Sequence, residues 1–250
     1  MSDVTIEDRG RHVAVTCLHR PPNNYFDSAL LSDLVAAYEE LAGSRWCRAI
    51  VLASEGKHFC AGLDFASNGA QDIAELYRNA LRLFASPLPV VAAVQGAAIG
   101  GGLGLAMSAD FRMCSAGSRL SANFSKLGFH HGFALSVTLP RTVGHQRAAD
   151  LLLTGRRVGG EEAVRLGLCD VLVDDDVILE RATDHAGAIA ASGPLAVRSI
   201  RQTLRRGLLE ELRLAMEHEC AEQERLRTTA DFAEGLRATA ERREPNFTGE

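Results

Sequence analysis

Apolar residues recur along this chain with three different spacings, and each spacing predicts a different element. Val13, Val15 and Cys17 alternate with their neighbours, the mark of a half-buried strand over 12–18, which Arg20-Pro21-Pro22-Asn23-Asn24 breaks into a loop. Helical spacing follows. From Asp27, a good N-cap, the residues Leu30, Leu31, Leu34, Val35, Tyr38 and Leu41 fall on one face, and Gly43 closes the helix. A short apolar run at 48–53 predicts a buried strand, and Ile73, Leu76, Tyr77, Ala80, Leu81 and Phe84 give a second helical face. Further along, strands are predicted at 111–115, 118–124 and 168–173, with helices near 134–142, 145–154, 161–166 and 177–191. The segment 125–133, with paired histidines, reads as irregular. From Pro194, which suits a first helical turn, the pattern is almost purely helical: Gly207 is a break, Leu208, Leu212, Met216, Glu219 and Gln223 trace a partly polar face, and a last helix runs from about Thr229 to before Pro245. The chain therefore divides near 193 into a mixed part, 1–193, and a helical part, 194–250.

One stretch departs from all of these. Between Leu83 and Ala109 there is no charge, a run long enough to raise the question of a membrane span. Five glycines, two prolines and Gln95 interrupt it, so it reads instead as a buried strand at 90–94, a tight glycine turn and a short buried helix. The triplet Gly100-Gly101-Gly102 leaves backbone N–H groups free with no side chain blocking approach. A second loop, Cys60 to Asp64, has the same small-residue character. Each loop can donate one backbone N–H to a shared carbonyl oxygen, an arrangement worth ~3–4 kcal/mol per donor toward a developing anion. The alternative is that these glycines only make tight turns. Rival motifs fail on spacing: there is no G-x-G-x-x-G, no phosphate-binding lysine after the glycines and no G-x-S-x-G.

Composition narrows the partners. The 250 residues carry a net charge of -5 with 46% hydrophobic content, enough for a core and without a pooled basic patch, which argues against nucleic acid. Six isolated cysteines show no metal spacing, so no metal site is expected, and the thiols fit a reducing compartment. Met1 to Gly10 is polar and acidic, with no targeting signal, which makes the cytoplasm the default location and a membrane role unexpected.

At four places the sequence resembles the crotonase family, also called the enoyl-CoA hydratase/isomerase superfamily: Lys57 to Asp64; Pro89 to Asp110; Leu151 to Gly155 with Glu162-Ala163 and Gly167-Leu168; and Asp231 to Phe247. The resemblance implies an α/β fold, a crotonase-type spiral of ββα units with a helical C-terminal oligomerisation region. It also implies an acyl-CoA thioester as substrate, no cofactor beyond the CoA of that substrate, and a homotrimer or homohexamer. Carried over by motif, the N–H groups of Leu63 and Gly101 form the oxyanion hole, flanked by Ala61 and Gly100. Phe247 corresponds to a C-terminal aromatic near the CoA adenine, with a packing role as the alternative. Asp64 matches a position that caps the next helix more often than it acts in chemistry.

The departures from the family pattern bear on the reaction. Gly104 and Phe124 stand where hydratases of this family carry their two glutamates, and Gly128 and Gly132 where other members carry an aspartate. Water addition by two carboxylates is therefore not expected. His131, or second to it His130, becomes the candidate acid/base, since an imidazole transfers protons near neutral pH; otherwise both line a CoA channel or cap a loop. Phe124, Phe129 and Phe133, together with 65–77, are expected to shape an apolar acyl pocket. The expected function is an acyl-CoA enzyme, a lyase or isomerase working through a thioester enolate. The alternatives are a CoA-thioester or carbon-carbon bond hydrolase using His131, and a catalytically silent acyl-CoA binder.

Overall fold

The computed structural model describes residues 2–64 and 72–250; Phe65, expected to line the acyl pocket, lies outside the described residues. In chain order the strands are β1 (Val4–Asp8), β2 (Val13–Leu18), β3 (Ala49–Ser54), β4 (Val90–Val94), β5 (Ala97–Ile99), β6 (Phe111–Ser115), β7 (Arg119–Ser121), β8 (Val158–Gly159) and β9 (Val171–Val173). The helices are α1 (Ser28–Gly43), α2 (Ile73–Phe84), α3 (Gly101–Met107), α4 (Leu135–Val143), α5 (His145–Thr154), α6 (Gly160–Leu166), α7 (Ile178–Ala190), α8 (Pro194–Leu204), α9 (Leu208–Leu226) and α10 (Ala230–Glu241).

A six-stranded sheet runs β1-β2-β3-β4-β6-β9, antiparallel in its first pair and parallel thereafter. Its central strands read as unbroken apolar runs because both faces are covered. Ile50, Leu52, Val90, Ala92 and Val94 face the main core with α1 and α2, while Val51, Ala53, Val91 and Ala93 face Ile178, Ala182, Ala186 and Ala190 of α7. A small sheet, β5-β7-β8, stands apart and carries the glycine triplet at the end of β5.

Most predicted elements are present, and α1 begins where its cap places it: the Asp27 carboxylate accepts from the Leu30 N–H at 2.8 Å. Three differences have physical causes. Strand β1 was not expected because its residues are mostly polar; it is an edge strand, buried at Val4 and otherwise open. The strand expected at 118–124 stops at Ser121, and a 3-10 helix (Asn123–Leu127) turns the chain into the site. Between β4 and α3 the glycine stretch contains an extra strand, β5, which pairs with β7.

The C-terminal helices join the body at several points. Leu212 and Met216 of α9 belong to the main core. Asp110, at the end of the glycine stretch, receives Arg201 at 2.9 Å and Arg205 at 2.7 Å and also accepts the Val90 N–H at 2.9 Å. Among the described residues, no helix is long and apolar enough to cross a membrane.

Candidate active site

A cavity of about 740 Å³ opens where the two glycine loops, the 123–133 segment and the C-terminal helices meet. The first loop is laid against β5 by the chain's own hydrogen bonds. The Cys60 N–H donates to Ala97 O at 2.9 Å, Ile99 N–H returns to Cys60 O at 3.1 Å, and Phe26 N–H donates to Gly62 O at 3.0 Å. That contact is so close that a β-carbon on Gly62 would stand 2.8 Å from Ile99 O, and Gly62 has a φ of +89°. Glycine is required there on both counts. A β-carbon on Gly102 would strike Cys60 O, so the two loops touch through bare backbone.

This packing brings Leu63 and Gly101 to one cavity wall. Among the described residues, neither N–H finds an acceptor within the protein. The Phe26 ring lies so close over the α-carbon of Gly101 that a β-carbon there would collide with it, and Phe133 meets Phe26 edge to face at 5.6 Å. Phe133 also fills the space beside Gly104, where any β-carbon would strike it. Phe124, its ring tilted against Phe129 at 5.5 Å, closes a further side.

Ala61, Leu63, Asp64, Gly100, Gly101, Phe124 and Phe133 all line the cavity, whereas His130, His131 and Phe247 are not among its lining residues. The His131 ring is stacked on His130 at 4.1 Å, and its Nε2 faces the Glu219 carboxylate at 3.8 Å without a hydrogen-bond partner. Burial, then the neighbouring His130 and His218, pushes its pKa down to about 4. His131 is thus a neutral imidazole at neutral pH, turned toward α9. The Phe247 side of the chain is 39% exposed.

Sequence reasoning missed a buried polar group that the fold assembles here. Tyr77 of α2 lines the cavity, and its hydroxyl donates to Gln223 Oε1 of α9 at 3.0 Å. Gln223 Nε2 donates to His130 O at 2.9 Å. One turn earlier, Glu219 is fully buried, and burial pushes its pKa up to about 7 against the pull of its hydrogen bonds. The available signal was the spacing of Leu212, Met216, Glu219 and Gln223, one helical stripe whose apolar members mark it as inward-facing.

Two other groups have definite states. Tyr25 lines the cavity with its pKa raised by burial and then by the charge of Asp64. Cys60, directly under the first loop, is fully buried and pushed up to about 12 by that burial, so it stays a thiol.

A family model for enoyl-CoA hydratase/isomerase matches residues 8–250. The chain belongs to the enoyl-CoA hydratase/isomerase family. It is 35% identical over 246 residues to a protein of Rhodobacter capsulatus named "Probable enoyl-CoA hydratase", with 95% of each chain covered. It is also 28% identical over 256 residues to an enoyl-CoA hydratase of Mycobacterium tuberculosis, covering 98% of this chain and 96% of that one. Among solved structures, the enoyl-CoA hydratase/isomerase of Pseudoalteromonas atlantica superposes with a TM-score of 0.87 at 27% identity, over 99% of this chain and 100% of that one. An enoyl-CoA hydratase of Mycobacterium avium subsp. paratuberculosis gives 0.88 at 25% identity, with 99% of each covered. The mixed α/β fold with C-terminal helices is therefore the crotonase fold, as the motifs implied, and the chain is an acyl-CoA enzyme of this superfamily.

Proposed function

We propose that the cavity takes the acyl part of a CoA thioester, with the N–H groups of Leu63 and Gly101 donating to the thioester oxygen and holding the enolate that forms from it. One observation carries this reading: two backbone donors on one cavity wall, unpartnered among the described residues and fixed by glycine-only contacts. Fixed donors stabilise a developing anion without reorganising, which is the largest single contribution available to such a site. The CoA belongs to the substrate, and no further cofactor enters.

The reaction we favour is an isomerisation or a lyase step rather than water addition by two carboxylates. Phe133 occupies the space a side chain at Gly104 would need, and the buried Phe124 ring stands at the second glutamate position, which supports this choice. His131, neutral and turned to Glu219, is better suited to holding the wall than to proton transfer. Exposed Leu195, Ile200 and Leu204 on α8 fit a face covered in a homotrimer or homohexamer.

The test is mass analysis of products after incubating the purified protein with enoyl-, 3-hydroxyacyl- and 3-ketoacyl-CoA thioesters. Shifted double bonds or loss of an acyl fragment support the reading. Rapid hydration of crotonyl-CoA would overturn the choice of reaction, and release of free CoA thiol would replace it with hydrolysis.

A further inference from the structure

The segment 130–136, which lends Gly132 and Phe133 to the cavity lining, holds an unfavourable backbone shape. Phe133 and Ala134 are consecutive non-glycine residues with φ of +60° and +57°. Isolated left-handed residues cost of order 1 kcal/mol or more each, and they persist only where the surroundings over-determine them. Here core packing and helix α4, whose Val137 and Thr138 N–H groups donate to Ala134 O, are joined by one carboxylate. Glu219 Oε2 accepts the Ala134 N–H at 2.8 Å, while Oε1 accepts the Ser136 N–H at 3.2 Å and the Ser136 hydroxyl at 2.5 Å. A buried carboxylate with three donors gathered on it is a strong local clamp.

What the clamp holds is the residue that packs the oxyanion side. Phe133 lies between Ala134 and the glycine helix: its ring meets Phe26 at 5.6 Å, its side chain fills the place beside Gly104, and Phe26 in turn covers Gly101. The path from Glu219 to the Gly101 N–H is therefore continuous: carboxylate, Ala134 N–H, Phe133 ring, Phe26 ring, Gly101.

We propose that Glu219 is a positioning residue for the thioester site, fixing Phe133 and through it Phe26 and the Gly101 donor. The inference rests on Leu63 and Gly101 being the donors proposed above. The titratable groups facing Glu219 are Tyr77 from α2 and His131 from the clamped segment; His130 and His218 act in turn on His131, and Cys220 and Arg227 on Tyr77. Among the described residues no Lys or Arg pairs with Glu219, and His131, lowered to about 4, is neutral where Glu219 titrates. The three donors favour the ionised carboxylate, but the cost of burying its charge outweighs them and raises its pKa. Because burial raises Glu219 to about 7 in the closed arrangement, opening that returns it to water is favoured as it ionises, and the clamp loosens as pH rises through neutrality.

Glu219→Gln separates this role from general support of the fold, because the amide keeps the size while turning an NH₂ toward donors. The probes are amide hydrogen exchange, read on peptides covering 133–136 and 100–104, and acetoacetyl-CoA, whose enolate absorbs in the near ultraviolet. In the native protein, exchange corrected for its intrinsic pH dependence is expected to quicken at both peptides as pH rises from about 6 to 8, a readout that needs no variant. In Glu219→Gln that pH dependence should vanish, exchange at both peptides should rise ~10-fold, and acetoacetyl-CoA enolate formation should fall by a similar factor. Unchanged exchange at 100–104 in the variant, or a flat profile in the native protein, overturns the proposal whatever the CoA ester does. A native protein with the expected exchange profile that forms no acetoacetyl-CoA enolate would instead overturn the oxyanion-hole reading and leave the mechanical link standing.

Discussion

The two walls of the cavity are built on opposite principles. The side proposed to hold the oxyanion, 60–64 with 97–104, is backbone against backbone: Gly62, Gly101 and Gly102 let strands and loop approach until no β-carbon fits, and the Cys60 thiol beneath keeps its proton. The facing wall, 130–136 with α2 and α9, is held by polar side chains: Glu219 and Tyr77 are buried and His131 half-buried, with pKa values moved by that burial, and of the three Glu219 is the one brought near neutral pH. The first wall is rigid because alternatives clash. The second is held by hydrogen bonds whose strength depends on protonation. A site that combines them can keep its anion-binding atoms fixed while the opposite wall responds to conditions.

The largest effect should come from breaking the rigid wall. Gly101→Ala places a β-carbon into the Phe26 ring, so either the donor or the ring must shift. Loss of one such donor costs on the order of 100-fold in turnover, and acetoacetyl-CoA enolate absorbance should fall by a comparable factor. A variant retaining native enolate formation would show that the Gly101 N–H is not a donor to the thioester.

The next test sharpens the contrast through stability. Glu219 has its folded pKa raised from 4.5 to about 7, so its contribution to stability is greatest below about pH 4.5 and is lost as pH climbs to about 7. The size is about 3 kcal/mol over that window. His131 behaves in the opposite sense: lowered from 6.5 to about 4, it contributes above about pH 6.5 and loses that contribution as pH falls toward 4. Denaturant unfolding of Glu219→Gln beside the native protein should therefore show the variant gaining on the native by roughly 3 kcal/mol between about pH 5 and pH 8. A constant difference across that range would mean the carboxylate is not held in a desolvated place.

The smallest effect is expected at His131. If its imidazole only fills space beside Glu219, His131→Ala should change turnover about two- to threefold, within the range of lost packing. A loss beyond about 100-fold, of the size a general acid or base supplies, would restore His131 as the proton-transfer group.

Much of the rigid wall was legible in the sequence. Gly100-Gly101-Gly102 and Cys60 to Asp64 could be paired because close backbone approach demands glycine, and the motif around each is local. The facing wall was not legible for the opposite reason. Glu219 lies 85 positions from Ala134, and although its spacing with Leu212 and Met216 puts it on an inward stripe, nothing local shows which backbone groups it meets. His130 and His131 were visible as titratable residues, but which way an imidazole turns is decided by α9, which sequence periodicity does not orient. The same holds at β1, whose polar residues hide an edge strand, and at β5, where three residues inside a glycine run are too few to show alternation.

Cys60 gives the site a chemical safeguard. A protein that holds activated thioesters beside a sulfur risks acyl exchange onto itself, a reaction that needs a thiolate. By burying this sulfur until it keeps its proton at about 12, the fold places small, well-packed volume under the loop without offering a competing acyl acceptor. Self-acylation and oxidative capping are suppressed at the cysteine under the first loop, while the half-exposed Cys17 and Cys220 remain the positions that thiol reagents reach first.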